Sequence, residues 1–185
     1  MASVLMPLAE GFEELEAITI ADVLRRGGIE VVLAGLNGTG AVTGSRETRV
    51  VPDAALDDVM DREFDMITLP GGMPGVDHLK RDERIKKLID RHQKEGRFTT
   101  AICAAPSILA AYGYLEGRQA TSNPKFINQV NIGGVDYVED PVVVDGSLVT
   151  SRGPGTAMDF GLKLVEMLAG EEARDKVEEG LVRIH

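Results

Sequence analysis

The feature that most constrains the fold is a regular alternation of short β-type runs with longer helical stretches. The β-type runs occupy residues 4–8, 29–36, 66–69 and 98–102. Between them, apolar residues recur at helical spacing. Strands that alternate with helices indicate a parallel sheet covered by helices on both faces. The predicted fold class is therefore α/β, with a mainly parallel central sheet.

The other segments add detail around this sheet. Helices are predicted at residues 13–26, 83–94, 106–112, 156–168 and 172–182. Two hairpins are predicted, one from residues 41–43 and 47–51 and one from residues 142–144 and 148–151. Residues 119–137 have an irregular pattern. No repeat, low-complexity tract or linker divides the 185 residues, so one domain over residues 1–185 is expected.

Charge and composition argue against several classes of function. The formal net charge is −10, and this average field would repel a phosphate backbone, so no nucleic-acid partner is expected. No apolar run approaches the roughly 20 residues of a membrane helix, and the start MASVLMPLAEGFEE lacks the features of a signal peptide. A single cysteine excludes an internal disulfide and fits a reducing compartment. We therefore expect a cytoplasmic protein without membrane association.

Cys103, the single cysteine, lies where the fourth strand gives way directly to a helix, in TTAICAAPSILAA. Pro106 suits the first turn of that helix. A side chain on such a turn projects over the helix N-terminus, whose unpaired N–H groups favour an anion. We therefore predict an exposed, reactive thiol with a lowered pKa on a strained backbone. The alternative is a core cysteine, because this residue type is often buried.

Two glycines follow the third strand and are expected at the same edge of the sheet as Cys103. Ligands of open α/β sheets bind beyond the carboxyl ends of the strands. Gly71 and Gly72 expose backbone N–H groups without side-chain obstruction. The N–H groups of Gly72 and Ala104 are predicted to form an oxyanion hole beside the sulfur. The alternative for the glycines is a plain strand-to-helix turn.

Three carboxylates, Glu13, Glu14 and Glu16, follow the first strand in the motif AEGFEELEA. Two of them are expected to be solvated in the first turn, where the helix dipole favours them. Glu16 differs because Leu15 and Ala17 flank it. If it points into the site, burial beside a thiolate raises its pKa, so that it is protonated and donates a hydrogen bond to sulfur.

The three histidines do not supply an obvious catalytic base. None of His78, His92 and His185 is adjacent to Cys103 in the sequence, and surface positions are expected for all three. His78 also follows the Gly-Gly turn closely enough to border the site. A Cys–His dyad is therefore poorly supported. Metal-ligand spacings are absent from the sequence, and we predict neither a metal nor another cofactor.

Four motifs taken together resemble a known family. AEGFEELEAITIADVLRRGGIEVVLAGL, LPGGMPG, AICAAPS and TSRGPGTAMDFGLKLVE are similar to the DJ-1 branch of the ThiJ/PfpI superfamily. The likeness runs from the first strand to about Leu168. It implies a flavodoxin-like, three-layer α/β/α sandwich and a homodimer. It further implies that Cys103 is an oxidisable nucleophile and that Glu16 hydrogen-bonds to it and steadies its sulfinate.

Other residues also take their roles from this resemblance. Gly72 and Ala104 match the oxyanion-hole amides. Arg26 and Arg46 match basic residues near the dimer interface and pocket, and Pro154 matches a partner-proximal loop beside the site.

Two positions depart from the patterns of relatives. Many close relatives have a His-Pro pair where ATSNPKF has Asn123. Asparagine can hydrogen-bond to a substrate but cannot take up a proton near neutral pH. Ala104 stands where the PfpI-type peptidases carry a histidine after the nucleophile, which disfavours peptidase activity.

Three functions follow from these observations. The first is an enzyme, a glutathione-independent glyoxalase or deglycase in which Cys103 attacks a small reactive carbonyl compound or acts on a glycated adduct. The second is a non-enzymatic oxidative-stress sensor or redox-regulated chaperone, in which Cys103 is oxidised to sulfenic and then sulfinic acid. The third is amidase-like hydrolysis, which ranks last because it lacks a histidine partner.

Overall fold

The computed structural model describes residues 1–183 and has the predicted α/β architecture. Its strands are β1 (Ser3–Leu8), β2 (Glu30–Gly35), β3 (Val42–Thr43), β4 (Arg49–Val50), β5 (Ala54–Ala55), β6 (Met66–Leu69), β7 (Phe98–Ile102), β8 (Gln119–Ala120), β9 (Asp136–Tyr137), β10 (Val142–Asp145) and β11 (Leu148–Ser151). Its α-helices are α1 (Glu14–Arg26), α2 (Leu56–Val59), α3 (Gly75–Arg81), α4 (Glu83–Lys94), α5 (Pro106–Ala111), α6 (Ile127–Val130), α7 (Ala157–Ala169) and α8 (Glu171–Gly180). Short 3-10 turns lie at Pro124–Phe126 and Pro154–Thr156.

Seven strands form the central sheet in the order β10-β11-β7-β6-β1-β2-β5. All neighbouring pairs are parallel except β10 and β11, which form the predicted hairpin. β3 and β4 form the other predicted hairpin. Because β7, β6 and β1 are neighbours, their carboxyl ends lie side by side and bring three distant sequence motifs to one edge.

The sheet is the middle layer of a three-layer sandwich. Every residue of β1 is buried, as expected for a strand covered on both faces. Successive strand residues point to opposite faces: Leu5 packs in the core with α2 to α6, whereas Val4 and Met6 pack in the core with α1, α7 and α8. The fold is flavodoxin-like, as the family resemblance implies.

Short elements account for most of the differences from the sequence-based prediction. The sequence does not predict β5, α2 or α3, which have two, four and seven residues. Residues 119–137, expected to be irregular, contain β8, a 3-10 turn, α6 and β9. No helix within residues 1–183 is long and apolar enough to cross a membrane.

Candidate active site

Cys103 occupies the strained turn that the sequence predicts between β7 and α5. Its φ is 64°, a left-handed conformation that costs a non-glycine residue about 1–2 kcal/mol. Two backbone hydrogen bonds hold it there. The Cys103 N–H donates to the Ser151 carbonyl at 3.0 Å, and the Asn123 N–H donates to the Cys103 carbonyl at 2.9 Å. β11 and the Pro124–Phe126 turn therefore hold the nucleophile in place.

The thiol is much less exposed than expected. Cys103 is 9% exposed and packs in the core with α1 and α7. It nevertheless lines a cavity of about 300 Å³ at the carboxyl ends of the strands. The cysteine is thus a mostly buried side chain reached through a cavity, and the expectation of an exposed thiol is wrong.

Glu16 and Cys103 meet against the backbone of Gly71. Glu16 is fully buried, and its Oε2 accepts a hydrogen bond from the Gly71 N–H at 2.8 Å. A Cβ atom on Gly71 would lie 2.6 Å from Glu16 Oε2 and 2.7 Å from Cys103 Cβ. Only glycine leaves room for both side chains at this place, so Gly71 is essential to the pair.

Burial raises the pKa of Glu16 to about 7, although hydrogen bonds with Cys103 and Gly71 oppose the shift. Its Oε1 is buried and has no nitrogen or oxygen partner among the described residues. The Cys103 thiol is the neighbouring group that can satisfy it. A protonated Glu16 is therefore available at neutral pH, as the sequence predicts.

The sequence predicts a lowered pKa for Cys103, and this expectation is wrong. Burial, followed by the charge and hydrogen bond of Glu16, raises the pKa of Cys103 to about 12, against the opposing Ala104 N–H and Asn123 amide. The two acids thus retain one shared proton between about pH 7 and about 12. When that proton is on Glu16, the charge that penalises the thiolate is removed. Thiolate reactivity therefore depends on Glu16.

The cavity contains most of the predicted site residues. Arg46, Gly72, Ala104, Asn123 and Pro154 all line it with Cys103. Gly72 has a φ of 93°, and a Cβ there would lie 2.3 Å from the Glu13 nitrogen. The backbone at Gly72 is therefore packed directly against the start of α1.

Arg26 is the predicted site residue that lies elsewhere. It ends α1, a 13-residue helix that begins beside the cysteine, and so it lies at the opposite edge of the sheet, about 15 Å or more along the helix. There it pairs with Asp22 at 2.6 Å. Within one protomer, the placement of Arg26 near the pocket is wrong.

Glu13 and Glu14 are not the freely solvated pair that the sequence predicts. Both accept a hydrogen bond from the Ser45 hydroxyl, at 3.0 and 3.2 Å. Glu14 also accepts from the backbone N–H groups of Arg46 at 2.6 Å and Thr48 at 3.2 Å. Although burial alone raises the pKa of Glu14, these hydrogen bonds hold it below the usual range. The two carboxylates fix the loop that carries Arg46.

Sequence reasoning also missed part of the cavity wall. Glu13, Ser45, Met73, Lys125 and Phe126 line the cavity beside the predicted residues. Lys125 and Phe126 lie two and three residues after Asn123 in the sequence, and that proximity is the sequence signal for their position.

His78 and His92 lie outside the cavity. His78 is exposed on α3, as expected, and His185 falls outside the described residues. His92 is fully buried, with Nδ1 2.8 Å from the Leu88 carbonyl oxygen, so its predicted surface position is wrong. Neither His78 nor His92 can serve as a base for Cys103. Within residues 1–183, no group of three or more His, Cys, Asp or Glu side chains is arranged to hold a metal ion.

A flavodoxin-like sandwich with a cysteine on a left-handed turn and a buried glutamate beside it defines a class of cysteine-centred α/β proteins. A family model described as the DJ-1/PfpI family matches residues 2–167. The chain belongs to this family.

Relatives match over almost the whole chain. The Drosophila melanogaster "Protein dj-1beta" is 45% identical over 181 residues, which is 97% of this chain and 96% of the relative. The crystal structure of Drosophila melanogaster DJ-1beta has a TM-score of 0.95 at 44% identity and covers 100% of this chain and 99% of its own.

Two further relatives bear on function by their names. The Caenorhabditis elegans "Glutathione-independent glyoxalase DJR-1.2" is 42% identical over 171 residues, or 92% of this chain and 90% of the relative. "Toxoplasma gondii DJ-1, oxidized" has a TM-score of 0.94 at 35% identity and covers 100% of both chains.

Proposed function

We propose that this protein is a cysteine-dependent stress-response enzyme that acts on small reactive aldehydes, of the glutathione-independent glyoxalase or deglycase type. The observation that carries the proposal is the packing of Glu16 and Cys103 against Gly71, which puts an acid with a pKa of about 7 beside a nucleophile at a cavity. The name of the Caenorhabditis elegans relative supports the same reaction class.

In the proposed mechanism, the Cys103 thiolate attacks the aldehyde carbon of methylglyoxal while Glu16 holds the shared proton. A carbon–sulfur bond forms, and the carbonyl oxygen becomes an oxyanion facing the N–H groups of Gly72 and Ala104. Glu16 gives its proton to this oxygen and forms the hemithioacetal.

The second half of the proposed mechanism moves one proton between the two carbons. Glu16, now a carboxylate, removes the proton from the former aldehyde carbon and returns it to the neighbouring ketone carbon. The hydroxyl proton of the hemithioacetal passes to the former ketone oxygen, which becomes the 2-hydroxyl group. The product is a thioester of a 2-hydroxy acid. Water then cleaves the carbon–sulfur bond, releases lactate and restores the thiol. The overall reaction therefore converts methylglyoxal and water into lactate.

The direct test compares methylglyoxal consumption and lactate formation in the wild type and in Cys103→Ala. Because the nucleophile is lost, we expect a rate at least about a thousandfold lower in the variant. Far-UV circular dichroism checks that both proteins are folded. Equal rates in the two proteins would remove the enzyme proposal. A peptide carrying an early methylglyoxal adduct, used as a second substrate, separates deglycase from glyoxalase activity.

The same site favours a second candidate function, an oxidative-stress sensor or redox-regulated chaperone. A sulfinate on Cys103 would accept hydrogen bonds from protonated Glu16, the Ala104 N–H and the Asn123 amide, which are the groups that already contact the sulfur. The Toxoplasma gondii relative is named as an oxidized DJ-1. Intact mass after mild peroxide should show two added oxygens, and Glu16→Leu should reduce this adduct. A wild-type protein without the adduct would exclude the sensor.

We also propose that the chain works as a cytoplasmic homodimer. Leu15 and Ile18, three residues apart on α1, are 55% and 42% exposed, and Val51 is 72% exposed. Large exposed apolar side chains of this kind favour a protein partner. Light scattering coupled to size exclusion should give twice the monomer mass. A monomeric mass at micromolar concentration would contradict the dimer.

A further inference from the structure

The turn that follows β11 lies against the sulfur of Cys103. A Cβ atom on Gly153 would lie 3.9 Å from Cys103 Sγ and 3.5 Å from Asn123 Nδ2. Gly153 is itself buried, and the next residue, Pro154, lines the cavity together with Cys103. The space around the nucleophile therefore depends on where the backbone of Gly153 and Pro154 is held.

Two hydroxyl groups, those of Ser151 and Thr156, hold this turn, and their oxygen atoms are 2.7 Å apart. The Gly153 N–H donates to the Thr156 hydroxyl oxygen at 3.1 Å. The Gly153 carbonyl is 3.0 Å from the same hydroxyl and already accepts from the Thr156 backbone N–H.

The chain of hydrogen bonds continues to the segment before β10. The Ser151 hydroxyl lies 2.7 Å from the Pro141 carbonyl. Each hydroxyl group has one proton. Because a carbonyl can only accept, Ser151 donates to Pro141, and the Thr156 hydroxyl donates to Ser151. The four groups thus form one chain, from the Gly153 N–H through both hydroxyl groups to the Pro141 carbonyl.

Ser151 also holds the backbone of the nucleophile. It is fully buried, and its carbonyl accepts the hydrogen bond from the Cys103 N–H at 3.0 Å. This is one of the two backbone hydrogen bonds that hold the left-handed turn at Cys103. A single residue therefore contacts Cys103 through its main chain and the turn at residues 153–154 through its side chain and Thr156.

From this arrangement we propose that Ser151 and Thr156 are positioning residues for Cys103. Their paired hydroxyl groups keep the turn at residues 153–154 against the sulfur, and this wall restricts the size and the approach of the reacting compound. The effect on turnover rests on the proposed function, whereas the effect on access to the sulfur does not. A Thr156 that only capped the start of α7 would stabilise the fold without affecting the thiol.

The first experiment measures access to the sulfur with N-methylmaleimide and N-phenylmaleimide, which share one reactive group and differ in size. Cys103 is the single cysteine, so both reagents report on this thiol. Each rate constant is divided by that of the same reagent with glutathione, and the methyl-to-phenyl ratio then cancels the thiolate fraction. The wild type should favour the smaller reagent.

Thr156→Val keeps the shape of the side chain and removes the hydroxyl group. Loss of one hydrogen bond that leaves its partners unpaired shifts the equilibrium between the held and the released turn by about tenfold, and the ratio should fall by up to the same factor. Thr156→Ser restores the hydroxyl group and should keep the wild-type ratio. An unchanged ratio in Thr156→Val would overturn the proposal.

Thr99→Val is the matched control for the loss of a threonine hydroxyl. Thr99 is a fully buried residue of β7, its hydroxyl oxygen accepts a hydrogen bond from the Gln93 amide at 2.8 Å, and it does not line the cavity. This variant should be destabilised to a similar degree and keep the wild-type ratio. Equal losses of the ratio in Thr99→Val and Thr156→Val would show a general effect of destabilisation and overturn the proposal.

Ser151→Ala tests whether the two hydroxyl groups act as a unit. It should lower the ratio as much as Thr156→Val does, and the double variant should lower it no further. Additive losses would contradict the pairing. Far-UV circular dichroism checks the fold of each variant, and Ser151→Ala carries the same prediction if Thr156→Val does not fold.

The second experiment measures turnover of methylglyoxal. Misplacement of a reacting group lowers the rate of the chemical step, so kcat should fall about tenfold in Thr156→Val with KM unchanged, and Thr156→Ser should restore it. A raised KM with unchanged kcat would assign the wall to substrate binding and overturn the positioning role. If the wild type is no faster than Cys103→Ala, the proposed function fails, and the maleimide ratios alone decide this inference.

Discussion

Glu14 and Glu16 lie in the same first turn of α1 and have opposite environments. Glu14 faces the loop of Ser45 to Thr48, where three hydrogen-bond donors hold its pKa below the usual range. Glu16 faces the sheet, where one backbone N–H and the Cys103 thiol are its partners and burial raises its pKa to about 7. Glu14 is therefore a charged anchor, whereas Glu16 is a proton carrier, although the two side chains are identical and two residues apart. The number of hydrogen-bond donors around each carboxyl group determines this difference.

Replacing Glu16 should have the largest effect, and that effect should be on turnover. Glu16→Gln keeps the shape of the side chain and an oxygen for the Gly71 N–H, but it cannot carry a proton. General acid–base catalysis contributes about 10²–10⁴-fold, so methylglyoxal turnover should fall by about 10³-fold. Glu14→Gln should lose less than about tenfold, because Glu14 only holds the Arg46 loop. Steady-state lactate formation measures both, and equal losses would show that the two carboxylates do not differ in role.

The next effect is on stability as a function of pH. Glu16 has a raised pKa when folded, so the folded state binds more protons than the unfolded chain between pH 4.5 and about 7. Stability attributable to Glu16 is therefore lost as pH rises through this window and is constant above it. The difference between 4.5 and about 7 amounts to about 3 kcal/mol.

Urea unfolding of the wild type and of Glu16→Gln at several pH values measures this term. The variant should gain stability relative to the wild type as the pH rises from 4.5 to 7. The same pH dependence of stability in the two proteins would mean that folding does not raise the pKa of Glu16.

Glu14 is expected to have a smaller effect on stability, with the opposite dependence on pH. Its lowered pKa contributes stability above the unfolded value, and this stability is lost as pH falls through the folded pKa. Glu14→Gln weakens charge-assisted hydrogen bonds to the Arg46 and Thr48 N–H groups, and should cost about 1–2 kcal/mol at pH 7. The cost should shrink in acid. Thermal unfolding at pH 7 and pH 3 measures it, and a cost that grows in acid would contradict the assignment.

The smallest effect is expected at Asn123, which lines the same cavity as Cys103. Its amide contacts the sulfur but cannot exchange a proton near neutral pH. Asn123→His adds a titratable group, so kcat/KM for methylglyoxal should rise by about tenfold. A new limb near pH 6.5 should appear in the pH–rate profile. A profile unchanged in shape would show that no second proton carrier is needed.

The sequence predicts the central sheet and the long helices because their signals are local. β1, β7 and α1 have apolar patterns that need no knowledge of distant residues. The charged composition of α4 predicts a surface position for His92, yet this residue continues the buried stripe of Ile85, Leu88 and Ile89 at helical spacing. The helical spacing of the apolar residues is therefore a better guide to the burial of His92 than the charge of the helix.

The site is predictable only in part because its energetics come from tertiary contacts. The left-handed turn at Cys103 and the partnership with Glu16 follow from motifs and from the family resemblance. The direction of the Cys103 pKa does not, because burial and the Glu16 charge outweigh the local N–H groups. The hydrogen bonds of Glu14 with the Arg46 and Thr48 N–H groups join positions more than thirty residues apart. The local sequence around either position does not predict these hydrogen bonds.

The central claim is that Cys103 and Glu16 share one proton, and thiolate titration tests it most directly. The rate of Cys103 alkylation by iodoacetamide is measured from pH 5 to pH 12 in the wild type and in Glu16→Gln. The account predicts two steps in the wild type, near pH 7 and near pH 12, and a single intermediate step in the variant, where no second acid remains. One step at the pH of an ordinary thiol, identical in both proteins, would contradict it.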